Sequence, residues 1–165
     1  MTVSTTSQLR QLSDSMDSIG ERAINSDFTM VIPGFEQYSP LIKQFPWPVL
    51  TPGEAIEVPG PLGSKDWLPS QVNTAFQGAI TVSETVVGDA ENLLAALLIN
   101  KGRFKTAILY EGTPDEFHRA KRIRNLILSI EPVDRDQENR SQLLTLTGTA
   151  YFKFLGGSDD IKGNI

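Results

Sequence analysis

The last third of the chain reads HRAKRIRNLILSI (118–130), EPVDRDQENRS (131–141) and QLLTLTGTAYFKF (142–154). Two alternating runs around one acidic turn predict a β-hairpin, each arm about twice the usual strand of five or six residues. Arms of that length should project beyond any core their own chain builds, so a second copy is expected to cover them. In the second run Leu144, Leu146, Ala150, Phe152 and Phe154 share one parity, and Thr145, Thr147, Thr149, Tyr151 and Lys153 the other. One face is therefore apolar, and the other is small, polar and rich in threonine. A polar β-branched face can stand against water along its length, which suits the lining of a water-filled passage. Thr145, Thr147, Thr149 and Tyr151 are its candidates, although parity leaves open which sheet face turns inward.

The same hairpin carries a basic cluster, Arg119, Lys121, Arg122 and Arg124, and an acidic one, Glu131, Asp134, Asp136 and Glu138. Opposite charges at two ends of a hairpin can pair between adjacent copies and fix their register. The basic run lacks the interleaved aromatics with which single-strand binders stack bases. A calcium loop over 134–145 would need glycine at its sixth place and glutamate at its twelfth; Asn139 and Thr145 stand there. His118 shares a strand face with Glu116, yet no nucleophile elbow or glycine-rich phosphate loop accompanies it. The expectation is a non-enzymatic chain with no catalytic, metal or cofactor residues.

Upstream, residues 33–70 hold eight of the ten prolines: Pro33, Pro40, Pro46, Pro48, Pro52, Pro59, Pro61 and Pro69. Proline donates no backbone hydrogen bond and stays out of central strands, so this region reads as two short edge strands and a long projecting loop, PLGSKDWLPS (61–70). Loops of that kind inside compact domains are usually functional. Both tryptophans, Trp47 and Trp67, belong to it.

The remaining elements follow from periodicity. Leu9, Leu12, Met16 and Ile19 predict a short amphipathic helix over 5–20, ended by Gly20 and docked on the body or on a neighbour. DFTMVI (27–32) reads as a strand ending at Pro33-Gly34, and AFQGAITV (75–82) as a half-buried one. DAENLLAALLINK (89–101) predicts a helix with Asp89 as N-cap, Glu91 in its first turn and Gly102 after its end. RFKTAILYE (103–111) is another strand before the long hairpin (117–155), and GGSDDIKGNI (156–165) a flexible tail. Strands outnumber helices and pair mostly with sequence neighbours. The fold class expected is α+β, mainly β: an antiparallel sandwich or half-barrel with one packed mid-chain helix, in a single domain 1–165.

Composition fits a soluble globular chain: 39% hydrophobic, 21% charged, with no cysteine and therefore no disulfide or thiolate chemistry. No apolar run approaches a membrane span, so no membrane anchoring is expected, and synthesis in a cytoplasm is the default. The net charge of −5 argues against a surface that grips phosphates throughout and suits a passage that lets a polyanion slide.

The order of these elements, from DFTMVI through the proline-rich loop ending in DWLP, AFQGAITVSE and DAENLLAALLINKG to PVDRDQENRSQLLTLTGTAYFKF, resembles the tail tube proteins of contractile-tailed bacteriophages. The resemblance spans about residues 5–156 and lies in element order, without a sharp signature. It implies a protomer that joins five others in a hexameric ring, its sheets merging into one closed barrel, the rings stacking into a tube. It further implies a lumen that holds a tape-measure protein and DNA and conducts the genome during ejection. The implied partners are a tail sheath, baseplate and tail-terminator proteins, and the implied location is the virion tail, assembled in the host cytoplasm. The loop 47–70 would reach the next ring, with Trp47, Leu50, Glu54, Ile56, Lys65, Asp66 and Trp67 as contacts. A baseplate tube-initiating ring and a secretion-system tube share this fold and stay open. So does a soluble module that takes a peptide or glycan on the proline-rich loop.

Overall fold

A computed structural model describes residues 5–165; residues 1–4 of the expected single domain lie outside it. The first helix, α1 (Thr6–Ile19), opens with a reciprocal cap: Gln8 N donates to Thr5 Oγ1 at 3.4 Å and Thr5 N to Gln8 Oε1 at 3.0 Å. It buries no residue, and Leu9, Leu12, Met16 and Ile19 all stay exposed. The sequence puts an apolar stripe on α1, but none of the described residues buries it.

Strands β1 (Thr29–Val31), β2 (Ile42–Gln44), β5 (Ala75–Ser83), β6 (Phe104–Gly112), β7 (Phe117–Ile130), β8 (Thr145–Lys153) and β9 (Asp160–Lys162) form one antiparallel sheet. Its order is β1-β6-β7-β8-β5-β2, with β9 paired to β7, and it curls into a nearly closed barrel. Met30, Ile80, Leu109, Ile123, Leu126, Ala150 and Phe152 fill the inside. Helix α2 (Asp89–Ile99) adds Ala90, Leu93 and Leu97 to that core, packing on β7 and on a 3₁₀ turn, Glu36–Leu41. The fold is α+β, mainly β.

The N-terminus of α2 is satisfied differently from expectation. Gly88, in the left-handed region at φ 87, is the N-cap, and Asp89 is already helical. The side chain of Glu84 reaches over instead, accepting from Ala90 N at 2.9 Å and Glu91 N at 3.2 Å. Asp89 N donates to Thr85 Oγ1 at 3.1 Å. A carboxylate at this end also meets the positive pole of the helix dipole.

The long hairpin differs from its sequence reading in three ways. Its arms are unequal: β7 has 14 residues, β8 has nine, and no strand lies between Ile130 and Thr145. Nor does β7 lack cover. β6 pairs along Phe117–Leu126; on the other edge β8 pairs over Arg124–Ile130 and β9 over Arg119–Lys121. After β8 the chain loops through Gly156-Gly157 and returns to the same edge of β7, so the C-terminal segment supplies the cover assigned to a second copy. The third difference is that 156–165 is not a loose tail. Asp159 is buried, and Asn164 Oδ1 accepts from Phe117 N at 3.1 Å while its Nδ2 donates to the Asp115 carbonyl at 2.6 Å.

One dislocation shapes the sheet. Arg124 opposes Lys153, but three residues later Ile127 opposes Tyr151, so β7 carries one extra residue against β8. Asn125 sits there in the left-handed region, φ 52, which asparagine tolerates better than most side chains. Before it Lys121 and Ile123 are buried; after it Leu126 and Leu128 are.

Candidate functional site

Three surfaces hold the residues singled out from the sequence. The first is an arm. Strands β3 (Ile56–Pro59) and β4 (Lys65–Leu68) pair only with each other, and all eight residues are exposed. The ladder continues toward the body through Gly53 N to the Gln71 carbonyl and Asn73 N to the Thr51 carbonyl. From Thr51 to Pro59 the arm reaches on the order of 25 Å at strand rise. Cross-strand partners Ile56 and Leu68 share one face with Val58 and its partner Asp66; Trp67, 64% exposed, stands on the other beside the Lys65–Glu57 ion pair at 2.8 Å. Asp66 Oδ1 accepts from Trp67 N at 2.8 Å, and Leu62 tips the arm fully exposed at φ 57. A bulky residue held left-handed at a tip is a strained display. Glu54 is exposed near the root, where Leu50 rests against Gly156. A lone two-stranded hairpin is marginal in water.

Trp47 belongs to the root, not the tip. It is half-buried, with Arg119 Cζ 5.6 Å and Lys121 Nζ 5.2 Å from its ring. Lys121 is 7% exposed, its ammonium also 5.2 Å from the Phe154 ring and donating to the Pro48 carbonyl. Burial lowers its pKa from the ordinary 10.5, with Asp160 and Glu111 opposing the shift and Arg119 adding to it. The lysine fastens the arm root to β7 by a charge-assisted bond and two ring faces. Nothing in the sequence pattern marks Pro48 and Lys121, 73 residues apart, as partners.

The second surface was the basic and acidic clusters, and the structure divides them. Arg119 pairs with Glu111 of β6, and Arg124 Nη2 donates to Asp159 Oδ1 at 3.0 Å. Arg122 enters no ion pair among the described residues. Glu131, Asp134, Asp136 and Glu138 are all exposed on the 131–144 connection, far along the hairpin from the arginines. They are brought together with none of the basic residues in the protomer. His118 is exposed where β7 begins. A cleft of about 440 Å³ beside Trp47 is lined by Ile24, Phe28, Phe45, Lys43 and the paired Glu111 and Arg119.

The third surface is the outward face of the sheet. Directly opposed residues share a face, which places Ser129, Thr149 and Ala79 in one row and Ile127, Tyr151 and Gln77 in the next. Arg124, Lys153 and Ala75 follow, while Thr147 lies beside Thr81 and Thr145 beside Ser83. Thr147 and Tyr151 are exposed, Thr145 and Thr149 half-buried. The threonine parity is thus one continuous face across β7, β8 and β5, mostly polar, with Ile127, Ala79 and Ala75 among its members.

No protein-family profile matches the chain, and no curated protein matches it in sequence. Solved structures do. A chain from the sheath–tube complex of an extracellular contractile injection system, PVC, in its extended state, superposes with a TM-score of 0.52 at 10% identity, over 91% of this chain and 95% of that one. A chain of the PVC sheath/tube terminator gives 0.54 at 11%, over 84% and 99%. The tube-terminating cap of the anti-feeding prophage gives 0.52 at 12%, over 81% and 88%. At such identities the likeness is one of fold: this chain shares the fold of chains found in contractile injection systems.

Proposed function

We propose that the chain is a structural subunit of a contractile tail, six copies forming a ring and rings stacking into a tail tube. The role needs no chemistry of its own. The observation that carries the reading is the shared fold over most of both chains, and the free β3–β4 arm supports it. A protomer whose sheet is nearly closed leaves few ways to grow, and an arm on one end with its receptor elsewhere makes a heterologous contact that repeats. In this reading the arm reaches the next ring, the polar face of β8 and β5 lines the lumen, and the acidic 131–144 connection faces a neighbouring copy. Genome passage, a tape-measure protein inside, a sheath outside, and a place in a virion belong to the same proposal.

A terminator ring is the second reading, favoured by the matches to a terminator and a cap. Negative-stain microscopy of the concentrated protein, alone and with preformed tube ends, separates them. Tubes that lengthen support the tube subunit; single rings seated on ends support the terminator. A compact monomer under every condition rejects both. Excision of residues 60–68 should abolish stacking and leave rings intact, whereas a soluble module with a peptide or glycan site would lose its ligand and keep its oligomeric state.

A further inference from the structure

The overall charge of −5 hides a segregated distribution. Arg103, Lys105, Arg122, Arg124 and Lys153 converge on one shallow depression of the outward sheet face, lined also by Thr106 and containing no carboxylate. The register explains the convergence. Arg122 and Arg124 share a side of β7, Arg124 opposes Lys153 on β8 and Thr106 on β6, and the extra residue at Asn125 bends the sheet beside them. Like charges directly opposed across strands destabilise a sheet. Here Asp159 neutralises Arg124 from below, and the other four cations form no ion pair among the described residues. The next row of the same face presents Tyr151, 41% exposed, opposite Ile127, 43% exposed. Read along the chain, the basic run lacks aromatics; read across strands, it has one.

We infer that this face binds the phosphodiester backbone of a nucleic acid, Arg122, Lys153, Arg103 and Lys105 contacting phosphates and Tyr151 offering a base-stacking surface. An open sheet with exposed aromatic and cationic side chains is a recurring platform for such strands. A protein carboxylate partner would use the cations but have no need of the tyrosine ring, so the pairing favours nucleic acid. The inference concerns the exposed sheet of the free protomer and does not require rings to form. It replaces the expectation that net negative charge keeps polyanions from sticking: in this depression the local charge is positive.

The test is fluorescence anisotropy of the full chain with labelled single-stranded and duplex oligonucleotides over a salt series, with polyglutamate as competitor. The expected result is salt-sensitive binding with a log–log slope of about −2 to −3 on single strands, from three or four phosphate contacts. Arg122→Ala with Lys153→Ala should weaken binding at least about tenfold and flatten the slope by about 1.4. Tyr151→Ala should weaken it severalfold with the slope unchanged. Lys43→Ala with Arg135→Ala, off this face, should change neither. Absence of wild-type binding at low salt overturns the inference, as does unchanged binding in the Arg122/Lys153 variant with its melting curve intact. Displacement by polyglutamate at equal charge, with no effect of Tyr151→Ala, assigns the face to an acidic protein instead. Any of these can occur while tubes still form, so the two proposals fail separately.

Discussion

The buried carboxylate of Asp159 accepts a hydrogen bond from Arg124 Nη2 at 3.0 Å, tying the C-terminal segment to the middle of β7. The two partners are not equivalent. The guanidinium side chain is 44% exposed and the carboxylate 2%. Losing its partner, Arg124 can turn to water; Asp159 cannot. Arg124→Ala should therefore destabilise by about 3 kcal/mol and Asp159→Ala by only about 1–2 kcal/mol, read from urea midpoints. Equal losses, or the reverse order, would show that water reaches Asp159.

Lys121 makes stability depend on alkaline pH with a definite sign. Its folded pKa lies below the unfolded 10.5 because burial disfavours the ammonium. Between those two values the unfolded chain holds more protons, so stability should rise with pH through that window. Below it the charged lysine imposes a constant cost, offset by the Pro48 carbonyl and the two rings. Lys121→Met should abolish the rise while keeping the packed stem. If the difference between wild-type and variant urea midpoints stays flat up to pH 10.5, the shift is absent.

Gly148 allows no side chain. An added Cβ would strike the Ser129 carbonyl oxygen and lie 2.7 Å from Ile130 Cα, both backbone of the neighbouring strand. No rotamer change relieves that. Gly148→Ala should cost about 3 kcal/mol or more and lower thermal stability sharply. Thr147→Ala, one residue away and exposed, is the control and should stay within about 0.5 kcal/mol.

Helix α1 contributes no buried surface, so removing residues 1–20 should shift the urea midpoint by less than about 0.5 kcal/mol. Its amides should exchange hydrogen early in the free protomer, because a 14-residue helix without tertiary contacts is marginal. Protection appearing only in assembled material would identify α1 as an interface element. Strong protection in the dilute protomer would contradict its exposure.

What the sequence disclosed follows from physical range. The alternation in TLTGTAYFK and AFQGAITVS and the apolar face of DAENLLAALLI are local patterns, and they specify two strands and a helix without reference to the rest. The prolines of 33–70 disclosed an excursion for the same reason. Its inner ladder, Ile56 to Pro59 against Lys65 to Leu68, was hidden because proline-flanked residues have weak strand signals. Long-range electrostatics left no trace in spacing. Asp159 under Arg124, Pro48 on Lys121 and Glu84 over the α2 terminus are polar groups whose roles depend on where the chain returns. The cationic face was missed because its members come from three strands, and only register makes them neighbours.

The dislocation at Asn125 has a consequence for how much change β7 can accept. The strand is written in two frames. Lys121 and Ile123 face the core before Asn125, and Leu126 and Leu128 face it afterwards. Deleting that single asparagine would merge the frames into one, with Leu126 and Leu128 still inward and Arg122 and Arg124 still outward, at the loss of the bend. Removing or adding a residue elsewhere in β7 would turn one half of the strand over, so length variation should be tolerated at Asn125 and outside the strand, and almost nowhere else within it.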